Sequence, residues 1–237
     1  MRILSSLRRM AANTRNEYVR ATRAQHAWTL WWKYYHWFNG REWLENRPGT
    51  VGVDHPHREI VVQAIRESLP VDTVLEIGCH LGYNLELLHA AIPGLHLFGV
   101  DINRRFVALV CQRFKMSDVK VELQTARADR LDSFADHTFD VVLCDAVLMY
   151  VSPRLIRRTL MELLRVCRKR IVLIEFVATT DGAASPWLFY RGKWAFDYPR
   201  LFRECAPACR VTAERLPEGS WGDAGWMERG QIVNVRL

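Results

Sequence analysis

Between residues 55 and 177 the chain alternates short apolar runs with amphipathic stretches, and no other feature limits its fold as strongly. The runs Val71–Ile77, Leu95–Val100, Val119–Leu123, Phe139–Cys144 and Arg170–Phe176 are short and almost continuously apolar, the pattern of strands buried on both faces. His55–Ser68, Asn84–Ala91, Arg104–Phe114 and Pro153–Val166 have helical spacing; in the first, Ile60, Val61, Ala64 and Ile65 form one stripe. Alternation of this kind predicts an α/β, Rossmann-like, doubly wound and mostly parallel sheet with helices on both faces. A helix over Tyr198–Cys205 and strands over Arg210–Arg215 and Gln231–Leu237 bring the expected sheet to seven strands. Residues 180–197 read as irregular and aromatic.

Sheets of this type bind ligands beyond the carboxyl ends of their strands, near the point where strand order reverses. The first strand runs into Glu76-Ile77-Gly78-Cys79-His80-Leu81-Gly82-Tyr83-Asn84. Glycines at 78 and 82 let backbone approach a ligand where a Cβ would clash, and the turn presents the free N–H groups of the next helix. The second strand ends in Gly99-Val100-Asp101, where a carboxylate can accept from both hydroxyls of a ribose, or can cap a helix. A glycine turn after strand one and an acid after strand two mark an adenosine-containing cofactor. The GxGxxG spacing of dinucleotide sites and the Gly-Lys-Ser/Thr of triphosphate loops are both absent. Glu76 stands there instead, and a carboxylate suits a positively charged cofactor better than a phosphate.

With these residues the sequence resembles the class I S-adenosylmethionine-dependent methyltransferases, and more faintly their small-molecule and sugar subset through Gly78-Cys79-x-x-Gly82-x-Asn84. The resemblance covers residues 55–177. It implies S-adenosyl-L-methionine as cofactor, with Glu76 near its amino group and the loop Gly78, Cys79, His80, Gly82 and Asn84 around its methionine part. It implies ribose binding by Asp101 and adenine packing on Ile102. Phe139-Asp140-Val141-Val142-Leu143-Cys144-Asp145-Ala146 is similar to the family's fourth strand, which implies that Asp145 and Ala146 face the cofactor and Tyr150 the substrate. His80 replaces the family's middle glycine. After strand three the family's adenine-binding acid is matched in register by Arg127, with Ala128 or Asp129 as the substitute. The implied reaction is in-line methyl transfer. Candidates for a general base are Asp145, Tyr150, His80 and Glu175, the last either buried and hydrogen-bonded or lining the pocket. His55 and His57, on either side of Pro56, read as loop residues ahead of a helix. No metal triad is evident.

Charge divides the chain. Residues 1–50 carry nine Lys+Arg and three acids, a net +6, whereas the remaining 187 residues carry 24 and 23, a net +1. The expected organisation is a basic, aromatic helical extension over 1–50 and a methyltransferase domain over 51–237. A nearly neutral body disfavours a general nucleic-acid binder, and the Asp/Asn-Pro-Pro-aromatic tetrad of amino-methylating nucleic-acid enzymes is missing. Trp28, Trp31, Trp32 and Tyr35 share one helical face. That face is core against the main domain, a lid, or an amphipathic element giving residues 1–43 peripheral membrane contact. The basic, acid-free residues 1–15 also fit a transit peptide, although the aromatic run beyond has no place in a cleaved one. Six sparse cysteines without a CxxC pair point to reduced thiols and a cytoplasmic protein, at or away from a membrane surface. The leading expectation is a methyltransferase acting on a small molecule, glycan or lipid-linked acceptor. The alternatives are an RNA or protein methyltransferase docking through the basic segment, and a cofactor-binding module without turnover.

Overall fold

The computed structural model describes residues 55–117, 119–178 and 185–237; the expected extension over 1–50 lies outside them. The elements run α1 (His57–Arg66), β1 (Thr73–Ile77), α2 (Tyr83–Ala91), β2 (His96–Asp101), α3 (Arg104–Lys115), β3 (Val121–Thr125), β4 (Phe139–Asp145), a 3₁₀ turn (Leu148–Tyr150), α4 (Ile156–Val166), β5 (Cys167–Phe176), β6 (Trp187–Tyr190), β7 (Lys193–Phe196), α5 (Tyr198–Cys205), β8 (Arg210–Arg215), α6 (Ala224–Arg229) and β9 (Gly230–Arg236). Seven strands form one sheet in the order β3-β2-β1-β4-β5-β9-β8. Only β9 runs against its neighbours in that sheet, so the expected Rossmann-like, mostly parallel architecture is present.

Both faces of the central strands are buried, which is why their sequences are continuous apolar runs. Leu75, Ile77, Val142, Cys144, Ile171 and Leu173 face α4 and α5. Val74, Val141, Leu143, Val172 and Ile174 face α1, α2 and α3. Strand order reverses between β1 and β4, so the carboxyl ends of β1, β2 and β4 open on one crevice. Edge strand β3 has no fully buried residue, and its exposed Glu122 and Thr125 keep that edge polar. No described helix is long and apolar enough to cross a membrane.

The segment expected to be irregular is corrected in its described part. Residues 187–196 form a two-stranded hairpin, closed by Arg191 and Gly192 at φ +47° and +81°. Two consecutive positive φ values match the twist of a hairpin. An Ala178 N–H to Phe196 carbonyl bond of 3.0 Å ties this hairpin to the end of β5. Helix α6 is a further addition to the sequence-based expectation. Asp223 caps it, accepting from the N–H groups of Gly225 (2.7 Å) and Trp226 (3.3 Å).

Gly82 opens α2 at φ +70°. A Cβ there would lie 2.8 Å from Val110 Cγ1 and 2.9 Å from the Phe114 ring, both on α3. Gly82→Ala combines a left-handed backbone penalty of ~1–2 kcal/mol with overpacking of ~1–3 kcal/mol. We expect a stability loss of roughly 2–5 kcal/mol in urea unfolding; a loss under ~0.5 kcal/mol would contradict the packing described.

Candidate active site

The crevice holds a cavity of about 760 Å³, within the ~300–1,000 Å³ of small-ligand sites. Glu76, Gly78, Cys79, His80, Asn84, Asp101, Ile102, Ala128, Asp129, Asp145, Ala146 and Tyr150 all line it. Two sequence candidates do not. Gly82 is turned toward α3, and Glu175 lies wholly buried behind the wall.

The loop after β1 is fastened to the end of β2. The N–H groups of Gly78 and Cys79 donate to the Val100 carbonyl at 2.7 and 3.0 Å. Gly78 has φ +70°, and a Cβ on it would sit 2.5 Å from Val147 Cγ2, so glycine is required on both counts. Asp101 accepts from the N–H of His80 (3.0 Å) through Oδ2 and from that of Asn103 (2.7 Å) through Oδ1. Asn103, not Asp101, caps α3, accepting from Arg105 N–H. Burial raises the Asp101 pKa above the usual carboxylate range, against those two N–H donors. Each carboxylate oxygen retains a lone pair for a ligand hydroxyl. His80 sits at φ +47°, its ring edge-on to Phe106 with centroids 4.5 Å apart. Its contacts include Asp101 and Phe106, on the β2 side of the crevice, where it also lines the cavity.

At the carboxyl ends of β1 and β4, two carboxylates share one amide. Asn84 Nδ2 donates to Glu76 Oε1 (2.7 Å) and to Asp145 Oδ2 (3.0 Å). The Asn84 carbonyl accepts from the guanidinium of Arg58. Glu76 Oε2 and Asp145 Oδ1 are buried without a hydrogen-bond partner among the described residues. Such atoms are expensive unless a ligand satisfies them. Burial pushes Glu76 up to about 8; the Asn84 hydrogen bond opposes this and the Asp145 charge reinforces it. Burial would raise Asp145 too, but the hydrogen bond and charge of His57, with Asn84 and Arg58, hold it below the usual range.

His57 is the residue the sequence reading most undervalued. It begins α1 and is 1% exposed, and its Nε2 lies 3.0 Å from Asp145 Oδ2. Its Nδ1 is 2.5 Å from His55 Nδ1. Its ring packs on Trp221, with centroids 4.1 Å apart, and Trp221 stacks on Trp226 at 3.9 Å. The Asp145 end of the cleft is thereby closed by aromatic surface. Arg58, Trp221, Trp226 and Lys193 also line the cavity and were not among the sequence candidates. Nothing local marks them, since His57 and Asp145 are 88 positions apart.

Glu175 resolves to the first of its two alternatives, which removes it as a base. Its carboxylate accepts from the N–H groups of Val147 and Leu148 (both 2.7 Å) and Met149 (3.2 Å). It thus holds the turn after β4, where Ala146 has φ +58°. Burial followed by the Glu175 charge raises the Tyr150 phenol well above its usual value, so Tyr150 stays a neutral donor or acceptor. Beyond β3, Asp129 Oδ1 accepts from Arg127 Nε at 2.8 Å; residues 126–129 wall the far end of the cavity. Asp140 lies at the opposite end of β4, ion-paired with Arg168 (2.6 Å) and Lys169 (3.0 Å), and is structural.

The cleft therefore has a ribose-type carboxylate over β2 and two ligand-seeking carboxylate oxygens with a guanidinium nearby over β1 and β4. Residues 74–170 match a family model described as a methyltransferase domain. A comparison with curated proteins finds no match. Among solved structures, magnesium protoporphyrin IX methyltransferase of Synechocystis PCC 6803 with bound SAM is 13% identical, with TM-score 0.63, over 90% of this chain and 96% of that one. The PH0226 protein of Pyrococcus horikoshii OT3 is 15% identical, with TM-score 0.58, over 82% and 97%. A SAM-dependent methyltransferase of Methanosarcina mazei is 20% identical, with TM-score 0.55, over 73% and 96%. At these identities the likeness is one of fold. The family match over residues 74–170 and the motifs at the strand ends within it make that stretch similar to a methyltransferase domain, on a fold shared with class I S-adenosylmethionine-dependent methyltransferases.

Proposed function

We propose that the cleft binds S-adenosylmethionine and that the protein transfers its methyl group to a small-molecule, glycan or lipid-linked acceptor. The observation that carries this reading is the pair of buried oxygens without a hydrogen-bond partner among the described residues, Glu76 Oε2 and Asp145 Oδ1, with Arg58 close by. An amino-acid tail presents an ammonium and a carboxylate together, and this set of residues complements both. Asp101 is placed for the ribose, with Ile102 and Ala128 for the adenine. When bound, the cofactor supplies a methyl group on positive sulfur that is open to in-line attack. The chain's own share is mainly alignment, which alone can be worth ~7–11 kcal/mol. For a hydroxyl acceptor, Asp145 is the base this reading favours. It is ionised, its Oδ2 is held by His57 and Asn84, and its Oδ1 serves the acceptor where Glu76 Oε2 alone takes the ammonium. Peripheral membrane contact through residues 1–43 and a cytoplasmic setting remain part of the proposal, supported by the sequence's charge and aromatic pattern.

Calorimetric titration with S-adenosylhomocysteine tests the reading, and the protonation of Glu76 adds an independent signature. With a pKa of about 8, the empty site carries the proton at pH 7. Placing an ammonium against Oε2 favours the carboxylate, so binding should release up to one proton. The release, measured from heats in phosphate and Tris, should be larger at pH 6.5 than at pH 8.5 and absent in Glu76→Gln. Stability moves the opposite way. The folded pKa exceeds the unfolded value of 4.5, so the folded state holds the extra proton between pH 4.5 and about 8, and stability falls as pH rises through that window. Glu76→Gln should therefore keep or raise the Tm at pH 8 while losing affinity. Binding without proton release would remove Glu76 from the ammonium site.

A further inference from the structure

We infer that the end of the cleft over β4 and β5 is an anion subsite centred on Lys193, and that the acceptor carries a carboxylate or phosphate group. This rests on the reading of the cleft as a methyl-transfer site, because the sheet order then divides the cavity. The adenosine-side residues lie over β2 and β3 and the methionine-side carboxylates over β1 and β4. What remains for an acceptor is the wall that includes Tyr150, Ser152, Arg154, Lys193 and Trp226.

Lys193 is the first residue of β7, directly after the hairpin turn. The next three residues of the strand, Trp194, Ala195 and Phe196, are buried, so its backbone is anchored in the core. Its ammonium lies over the Phe176 ring, 5.1 Å from the centroid, and makes no ion pair among the described residues. Its acidic neighbours, Asp223 and Glu175, are both engaged elsewhere. Asp223 caps α6, and Glu175 accepts three backbone N–H groups at the turn after β4. Burial pulls the lysine pKa down, and these two acids only partly restore it. A half-buried cation facing a ligand cavity without a counter-ion is costly by itself and favourable with an anion beside it. The acids of the cavity, Glu76, Asp101, Asp129 and Asp145, lie along the cofactor side in company with Arg58 and Arg127, whereas the remaining wall carries the cations Lys193 and Arg154 and no acid. A neutral sugar or alcohol would leave that lysine uncompensated.

The test uses the full-length protein saturated with S-adenosylhomocysteine, titrated by ligand-observed NMR with benzoate, inorganic pyrophosphate and uncharged benzyl alcohol. At least one anion should bind no less than tenfold more tightly than benzyl alcohol. Lys193→Gln should weaken that anion at least fivefold, Lys193→Arg should retain it, and both variants should keep wild-type affinity for S-adenosylhomocysteine. Preference for benzoate would identify a carboxylate acceptor, and preference for pyrophosphate a phosphate or diphosphate-linked one. Anions that bind no better than benzyl alcohol, or equally well to Lys193→Gln, would overturn the subsite. Failure of S-adenosylhomocysteine to bind the wild-type protein would instead overturn the cofactor reading beneath it.

Discussion

Asp101→Ala is expected to weaken S-adenosylhomocysteine binding by roughly 10²–10⁴-fold. Two charge-assisted hydrogen bonds to a ribose are worth ~1.5–3 kcal/mol each, and each 1.4 kcal/mol is about tenfold in affinity. A second loss adds to the first. The Asp101 carboxylate also receives the N–H groups of His80 and Asn103, so it holds the loops after β1 and β2 together. Without it, two donors at the ligand surface lose their acceptor and the glycine turn is released on one side. Asp101→Asn should do nearly as badly, because its amide must turn an N–H group toward one of those donors. Calorimetry on folded variants, with Tm as the control, measures both effects. A loss below about fivefold in Asp101→Ala would mean that the carboxylate does not read the ligand.

Why Asp101 was legible in the sequence while His57 was not follows from how each is placed. Asp101 is positioned by its own strand: an apolar run ends, and the next polar side chain stands at the sheet's carboxyl edge. The same logic found Glu76 and Asp145, and the buried strands themselves, because a strand covered on both faces has nowhere to put a charge. His57 acts only through a pairing with Asp145 set by the packing of α1 on α2, through Val61, Ile65 and Leu88. Gly82 shows the opposite error. Its spacing from Gly78 suggests close approach to a ligand, yet the Cβ it lacks would strike Val110 and Phe114. A glycine reports that space is short without saying who occupies it. The hairpin Trp187–Phe196 and helix α6 escaped because four- and six-residue elements are too short for periodicity, and an Arg-Gly turn is a weaker signal than Asn-Gly. Glu175 stood out as an acid in an apolar strand, but its partners are backbone N–H groups, which no side-chain pattern encodes.

The His57–Asp145 pair leads to the largest expected change in stability. Both side chains are nearly inaccessible, at 1% and 6% exposure, and Trp221 covers the histidine ring. Removing one partner from a buried pair strands the other charge, at a cost of ~3–5 kcal/mol. His57→Leu should lose about that much in urea unfolding at pH 7. If the cost comes from the stranded carboxylate and not from lost packing, His57→Leu/Asp145→Leu should recover to within ~1 kcal/mol of wild type, since apolar replacement of buried pairs is often neutral. The sign with pH follows from Asp145. Its folded pKa lies below the unfolded 3.8, so its stabilisation is present above about pH 4 and fades as pH falls through the folded value. In His57→Leu the burial that raises the pKa is no longer offset by its main opponent. The carboxyl then titrates above its unfolded value, and its contribution reverses to a loss of stability as pH rises. The penalty of His57→Leu relative to the double variant should therefore be larger at pH 7.5 than at pH 4.5. A penalty that is flat between those pH values, or a double variant no better than the single, would show that packing around the Trp221 stack carries the cost instead of the buried charge.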